Sequence, residues 1–221
     1  MRSYLLCAIR FYLSPVILNK KRKEKILIAW PENYQKMTPE EYLEWEAQQE
    51  FRHEYVEGKI LAMTGASLPH IDITLSFYRA LYSHLRQRGC RAYVSDAKVK
   101  DSKNNRYFYP DLVISCNPED FKSRKFIENP SVIIEVLSPN TRGCDRDDKL
   151  KYYRQFSSLQ EYVLVDSESV SVEIYQRGEG RMWLYSVYSL GEDFTLSSIE
   201  FNCAVDVLYE DVSFETESEQ Q

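Results

Sequence analysis

The sequence predicts an α/β fold, one domain in which helical and strand patterns alternate along the chain. Three observations carry this expectation. The 221 residues suffice for one domain with a sizeable core. The composition is that of a folded soluble chain, 43% hydrophobic and 28% charged, with 7 Gly and 8 Pro. Segments with apolar residues at helical spacing are interleaved with short β-branched and aromatic runs, and most of the aromatics are Tyr, which suits strands with one wet face.

The chain opens on an apolar stretch, YLLCAIRFYLSPVIL, over residues 4–18, followed by the basic run NKKRKEK. The stretch holds Arg10 and is shorter than the roughly 20 residues that span a bilayer. Its positive charge follows the apolar part, the reverse of a signal peptide. Residues 1–36 therefore read as a poorly structured extension with no stable membrane association, a reversed-orientation anchor being the alternative. The domain is expected over 37–213, and 214–221 as an acidic, disordered tail.

From Thr38 the pattern becomes regular. Thr38-Pro39-Glu40-Glu41 supplies an N-cap, a proline at the first helical position and an acid at the third, so a helix is expected to about Gln49. HEYVEGKILAMTG reads as two short strands around a hairpin-like turn at Glu57-Gly58. Ser67 caps a second helix in which Ile71, Leu75, Tyr78, Leu81, Tyr82 and Leu85 recur at helical spacing, and Gly89 ends it. Residues 91–100 and 106–115 read as paired strands joined by the turn Ser102 to Asn105. SVIIEVL, residues 131–137, is a β-branched run suited to a central strand covered on both faces. Residues 145–157 read as a helix, and EYVLVD, SVEIYQ and RMWLYSVYSL as strands.

Five cysteines, Cys7, Cys90, Cys116, Cys144 and Cys203, are odd in number and lack a CxxC pair. Reduced thiols in a cytoplasmic protein fit this better than a disulfide framework or structural zinc. The net charge of -6 neither supports nor excludes a nucleic-acid partner, because a charge sum says little about one face. HExxH, a phosphate-cradling glycine loop and GxSxG are missing, which removes the main support for zinc hydrolase, nucleotide triphosphatase and serine esterase chemistry.

Candidate chemistry begins at Glu135, one carboxylate in an apolar strand. Buried and ionised, it needs a cation, hydrogen bonds or a raised pKa; an Arg or Lys partner in a core ion pair is the plain alternative. Asp111 follows Pro110 at the start of another apolar run, YFYPDLVIS, where a turn carboxylate would also be ordinary. Two acids entering neighbouring strands offer oxygens to one hard cation, and Mg²⁺ takes one or two carboxylates while leaving room for phosphate. A cation near Glu135 would stabilise charge on such a phosphate. On the helix that follows, Lys149 lies about 40° around the axis from the Tyr153 side, whereas Lys151 points away; Lys149 could instead be a solvated partner of Asp145 or Asp148. Glu54 is a candidate third carboxylate, and His70, at a helix start, is either an ordinary hydrogen bonder or a site residue.

Taken in order, MTPEEYLEWEAQQEFRHEYVEGKILAMTGAS, YFYPDLVIS, ENPSVIIEVLSPNT, DRDDKLKYYRQFSSLQEYVLVD and VEIYQRG resemble the Uma-two family of restriction endonucleases, within the PD-(D/E)XK nuclease superfamily, over about residues 37–212. The resemblance implies a mixed sheet flanked by helices and a magnesium-type site. It aligns Asp111 with the motif aspartate, Glu135 with the second acid and Glu54 with the acid of the N-terminal segment. The motif lysine is replaced by Leu137, for which a lysine on the next helix, Lys149, would substitute. PHIDIT resembles the family's histidine-bearing helix, which brings in His70. The expected function is a DNA endonuclease using Mg²⁺, or Mn²⁺ in its place, with Asp111, Glu135 and Glu54 as ligands and Lys149 in catalysis. The alternative is a non-catalytic DNA-binding or interaction module on the same fold. Self-association as a homodimer is left open.

Overall fold

Side chains of a strand alternate between faces, so a strand buried at every position must be covered on both sides. Val132–Leu137 is such a strand. The computed structural model describes residues 36–63, 65–139 and 143–214, and divides the chain into two compact units, Met1–Met63 and Thr64–Gln221. The expected N-terminal extension, apart from Lys36, and the acidic tail beyond Phe214 lie outside the described residues.

The first unit contains α1 (Pro39–Glu46) and the hairpin β1 (His53–Val56) and β2 (Lys59–Ala62). The capping box at Thr38 and Glu41 forms as expected. Tyr42 is fully buried, stacks on Tyr55 at 4.9 Å and donates its hydroxyl to the His53 carbonyl, which fastens helix to hairpin. Both turn residues have positive φ, Glu57 at 54° and Gly58 at 87°. That is the twist a two-residue hairpin requires, with glycine at the more strained position.

The second unit runs through α2 (Leu68–Gln87), β3 (Arg91–Val94), β4 (Val99–Asp101), β5 (Arg106–Phe108), β6 (Leu112–Ser115), α3 (Pro118–Lys122) and β7 (Val132–Leu137). A π-helical turn (Cys144–Lys149) and α4 (Leu150–Tyr153) then lead to β8 (Glu161–Asp166), β9 (Val172–Arg177) and β10 (Trp183–Tyr188). The chain continues into the hairpin β11 (Asp193–Leu196) and β12 (Phe201–Ala204), and α5 (Val205–Tyr209). Six strands form a sheet in the order β10-β9-β8-β7-β6-β3. β7 is parallel to β8 and antiparallel to β6, so the sheet is mixed and flanked by helices, as expected.

β7 divides the packing into two layers. Val132, Ile134 and Val136 join Leu112, Ile114, Val163 and Val165 in the main core, covered by Ile73, Phe77, Leu81 and Leu85 of α2 and by Leu208 of α5. On the other face, around Glu135, an aromatic layer is built from Phe108, Tyr153 and Tyr162, with Tyr153 5.1 Å from each of the other two rings.

Several sequence expectations need correction. The strands expected over 91–100 and 106–115 each break in two: β3 pairs with β6, and β4 with β5. The break falls where Ser95 and Asp96 take positive φ and where Pro110 lacks an N–H for a ladder. Ile71, Leu75 and Tyr82 of α2 are exposed, whereas Ile73, Phe77, Leu81 and Leu85 are buried. The helix carries two overlapping apolar stripes, and periodicity alone does not say which one meets the sheet. The helix expected over 145–157 is π-helical at first and ends at Tyr153. Cys90 and Cys116 are disulfide-bonded, against the expectation of reduced thiols. Pairing of Arg91 with Ser115 places these cysteines opposite each other with Cα atoms 4.2 Å apart, a register that sequence spacing does not reveal. Among the described residues no helix is long and apolar enough to cross a membrane.

Glu161 on β8 is buried, and its carboxylate accepts from the Ser198 N–H at 2.9 Å and from the Ser198 hydroxyl. Burial raises its pKa above 4.5, and the serine hydrogen bonds offset that only in part. A carboxyl whose pKa is higher folded than unfolded costs stability as it ionises, so the penalty grows as pH rises from the unfolded value through the folded one. Glu161→Gln does not ionise. Its melting temperature relative to wild type should therefore climb between about pH 4 and pH 7, which thermal scans across that range would check.

Candidate active site

The site is positioned by the ends of β6 and β7, the first turn of α2 and the crossover from β7 to β8. Asp111 stands just before β6, preceded by Pro110. Its Oδ2 accepts the Val136 N–H at 2.7 Å, which fixes the carboxylate one residue from Glu135. Its Oδ1 lies 2.9 Å from His70 Nε2. An ionised carboxylate only accepts, so Nε2 carries the hydrogen of that contact. His70 reaches this point because Ser67 caps α2 and starts the helix beside Asp111. Asp111 retains 21% side-chain exposure, enough for an ion or phosphate to approach.

Glu135 is the one acid of β7 and lies on the aromatic face, its side chain only 4% exposed. A carboxylate there requires compensation, because an unpaired buried charge costs several kcal/mol. Oε1 accepts from Lys149 Nζ and from the Tyr153 hydroxyl, each at 2.9 Å. Lys149 Nζ also lies 3.2 Å from Asp145 Oδ1, so one ammonium joins two buried carboxylates. Asp145, Lys149 and Tyr153 recur every four residues, which keeps them on one side of the π-helical turn and α4. Tyr162 holds the start of this segment by donating its hydroxyl to the Asp145 carbonyl.

The structure thus brings His70 to Asp111, and Lys149 to Glu135. Lys149 is not the solvated partner of Asp148; that place is taken by Lys151, which pairs with Asp148 at 3.1 Å on the surface. Glu54 is buried on β1 of the other compact unit. Two site residues escaped the sequence reading. Tyr153 and Asp145 were recognisable only as neighbours of Lys149 at helical spacing, a signal that does not say which groups meet Glu135.

Whether the donor set fits a metal follows from its chemistry. Asp111 and Glu135 offer hard carboxylate oxygens near each other, and no group of three or more His, Cys, Asp or Glu is gathered among the described residues. That suits Mg²⁺, which keeps most of its waters and takes one or two carboxylates, rather than a cation needing a closed protein cage.

A model of the Uma2 family, described as "Putative restriction endonuclease", matches residues 39–207. Two uncharacterized proteins of Synechocystis sp. are similar. One, slr1290, is 38% identical over 181 residues, covering 82% of this chain and 95% of its own. The other, sll1609, is 34% identical over 168 residues, covering 75% and 93%. A crystal structure of a putative nuclease from Anabaena variabilis superposes with a TM-score of 0.67 at 18% identity, covering 79% of this chain and 98% of that one. At that identity the likeness shows the fold.

The Lys149–Glu135 pair should behave as a buried charge pair. Lys149→Met strands Glu135 and is expected to cost about 2–4 kcal/mol. Lys149→Met combined with Glu135→Gln should cost less than the two separate losses together, by about 1–3 kcal/mol. Urea denaturation of the three variants measures this; strict additivity would mean that the two side chains do not interact.

Proposed function

This chain belongs to the Uma2 family and has a restriction-endonuclease-like fold, and from that premise we propose that it is a DNA endonuclease that hydrolyses phosphodiester bonds with Mg²⁺, or Mn²⁺ in its place. The observation that carries this reading is the placement of Asp111 beside β7 at Val136, next to the Glu135–Lys149 pair. Asp111 and Glu135 would hold the metal. When bound, the metal supplies a Lewis acid that lowers the pKa of a water and draws charge from the phosphate.

The remaining work falls to side chains. His70 and the Val136 N–H fix the two oxygens of Asp111, so that this carboxylate faces its ligand in one orientation. Tyr153 does the same for Glu135 from within the aromatic layer. Lys149 brings positive charge to Glu135 at the point where a phosphate would accumulate negative charge, and it supplies the cation missing at Leu137. Held between Glu135 and Asp145, the ammonium is preorganised and loses little side-chain freedom when substrate binds.

A second reading has its own support. Lys149 and Tyr153 both bond the same Glu135 oxygen, the pattern of an ion pair that completes a core. On that reading the chain is a non-catalytic DNA-binding or interaction module on the nuclease fold.

Cleavage separates the two. Purified protein is incubated with supercoiled plasmid and short duplexes in Mg²⁺, Mn²⁺ or EDTA, beside Asp111→Ala and Glu135→Ala. The expected result is metal-dependent nicking that EDTA stops and that each substitution lowers by at least about 100-fold, with circular dichroism unchanged. Cleavage that survives both substitutions would overturn the assignment, and DNA binding without cleavage in either metal would favour the second reading.

A further inference from the structure

A sheet edge presents unpaired N–H and C=O groups, and proteins ordinarily blunt it with charges, prolines or abrupt bends. The six-stranded sheet has two ends, β3 and β10. β3 is short, begins at the exposed Arg91 and ends against the positive-φ residues Ser95 and Asp96. β10, Trp-Leu-Tyr-Ser-Val-Tyr, has neither charge nor proline over its six residues. Met182, Leu184, Tyr185, Val187 and Leu190 are each about half or more exposed, with values from 48% to 65%. They account for five of the eleven large apolar side chains found exposed, gathered within nine consecutive residues.

The ladder tells which backbone groups are open. Gly178 N–H donates to the Met182 carbonyl, and Trp183 pairs with Arg177 in the same register. Paired and unpaired positions alternate in an antiparallel ladder, so the N–H and C=O groups of Trp183, Tyr185 and Val187 point away from β9. These are the positions on which a further strand would dock.

We propose that β10 is the interface of a homodimer, in which two copies pair their β10 strands antiparallel about a two-fold axis and continue the sheet across the contact. A two-fold axis makes the contact antiparallel by necessity, because the same patch meets itself reversed. The charges flanking the strand complement that arrangement. The exposed Arg181 precedes β10, and the exposed Glu192 and Asp193 follow it. Reversal brings Arg181 of each copy to the acidic end of the other. A peptide of a different protein would need this pattern supplied; a second copy carries it already. The contact is a strand pair with an apolar fringe, at the small end of specific interfaces, so a Kd on the order of 1–100 µM is expected. This inference stands apart from the nuclease reading.

Sedimentation velocity of the full chain from about 1 to 200 µM, a range set by that expected affinity, tests it. The weight-average mass should rise with concentration from 26.1 kDa toward twice that value. Val187→Lys places two like charges near the axis on an exposed edge position, and should weaken the dimer by about tenfold or more. Arg181→Glu should weaken it too, and adding Glu192→Lys and Asp193→Lys should restore it; this set keeps the test independent of how well the Val187 variant folds. A monomer throughout would overturn the proposal. So would a dimer that neither Val187→Lys nor the charge reversal affects, since association would then use another surface.

Discussion

An ionised carboxylate inside an apolar strand sets the terms for much of the second unit. Glu135 lies in the middle of β7, between strands that are themselves buried, and water cannot compensate its charge. The protein answers with one ammonium and one phenol on the same oxygen. That answer requires a crossover segment presenting Lys149 and Tyr153 over the aromatic face of the sheet. It also requires Asp145 one turn earlier to share the lysine, and Tyr162 to hold the segment's start. The π-helical turn, the aromatic layer and the parallel β7–β8 pair are all parts of that arrangement.

Such a network is a poor way to gain stability. Desolvating three charges is offset only by good geometry, and an apolar core of the same volume would do as well or better. The main core on the opposite face of β7, built from Val, Ile, Leu and Phe side chains, shows that the fold makes such packing where it can. The charges are therefore concentrated on the face where Asp111 also stands, partly exposed and oriented by His70 and a backbone N–H. One carboxylate is dry and charge-paired while the other is reachable. That asymmetry is what a site needs in order to admit a cation and a phosphate without losing its geometry.

Much of this was legible in the sequence because it is local. The capping box at Thr38, the Glu57-Gly58 turn, the cap at Ser67 and the β-branched run around Glu135 are fixed by neighbours within a few residues. The acids Asp111 and Glu135 could be singled out because each enters an apolar run, and Lys149 because helical geometry puts it near the Tyr153 side of the segment that follows β7. What could not be read depends on register and on tertiary choice. The Cys90–Cys116 bond follows from how β3 faces β6. The buried stripe of α2 is decided by the sheet below it, and Tyr153 becomes a site residue only once α4 is laid across Glu135. The hairpin β11–β12 went unread because each strand spans four residues with two buried apolar side chains, Phe194 and Leu196 on one and Phe201 and Cys203 on the other, too short a run to stand out as a strand pattern.

The most direct test is a crystal structure of the full chain grown with Mn²⁺ and measured for anomalous scattering. A peak about 2.1–2.2 Å from carboxylate oxygens of both Asp111 and Glu135, missing from the Asp111→Asn protein, is the predicted result. An intact fold at saturating Mn²⁺ with no peak there, and with Lys149 still closed on Glu135, would show that these acids serve the core and not a metal.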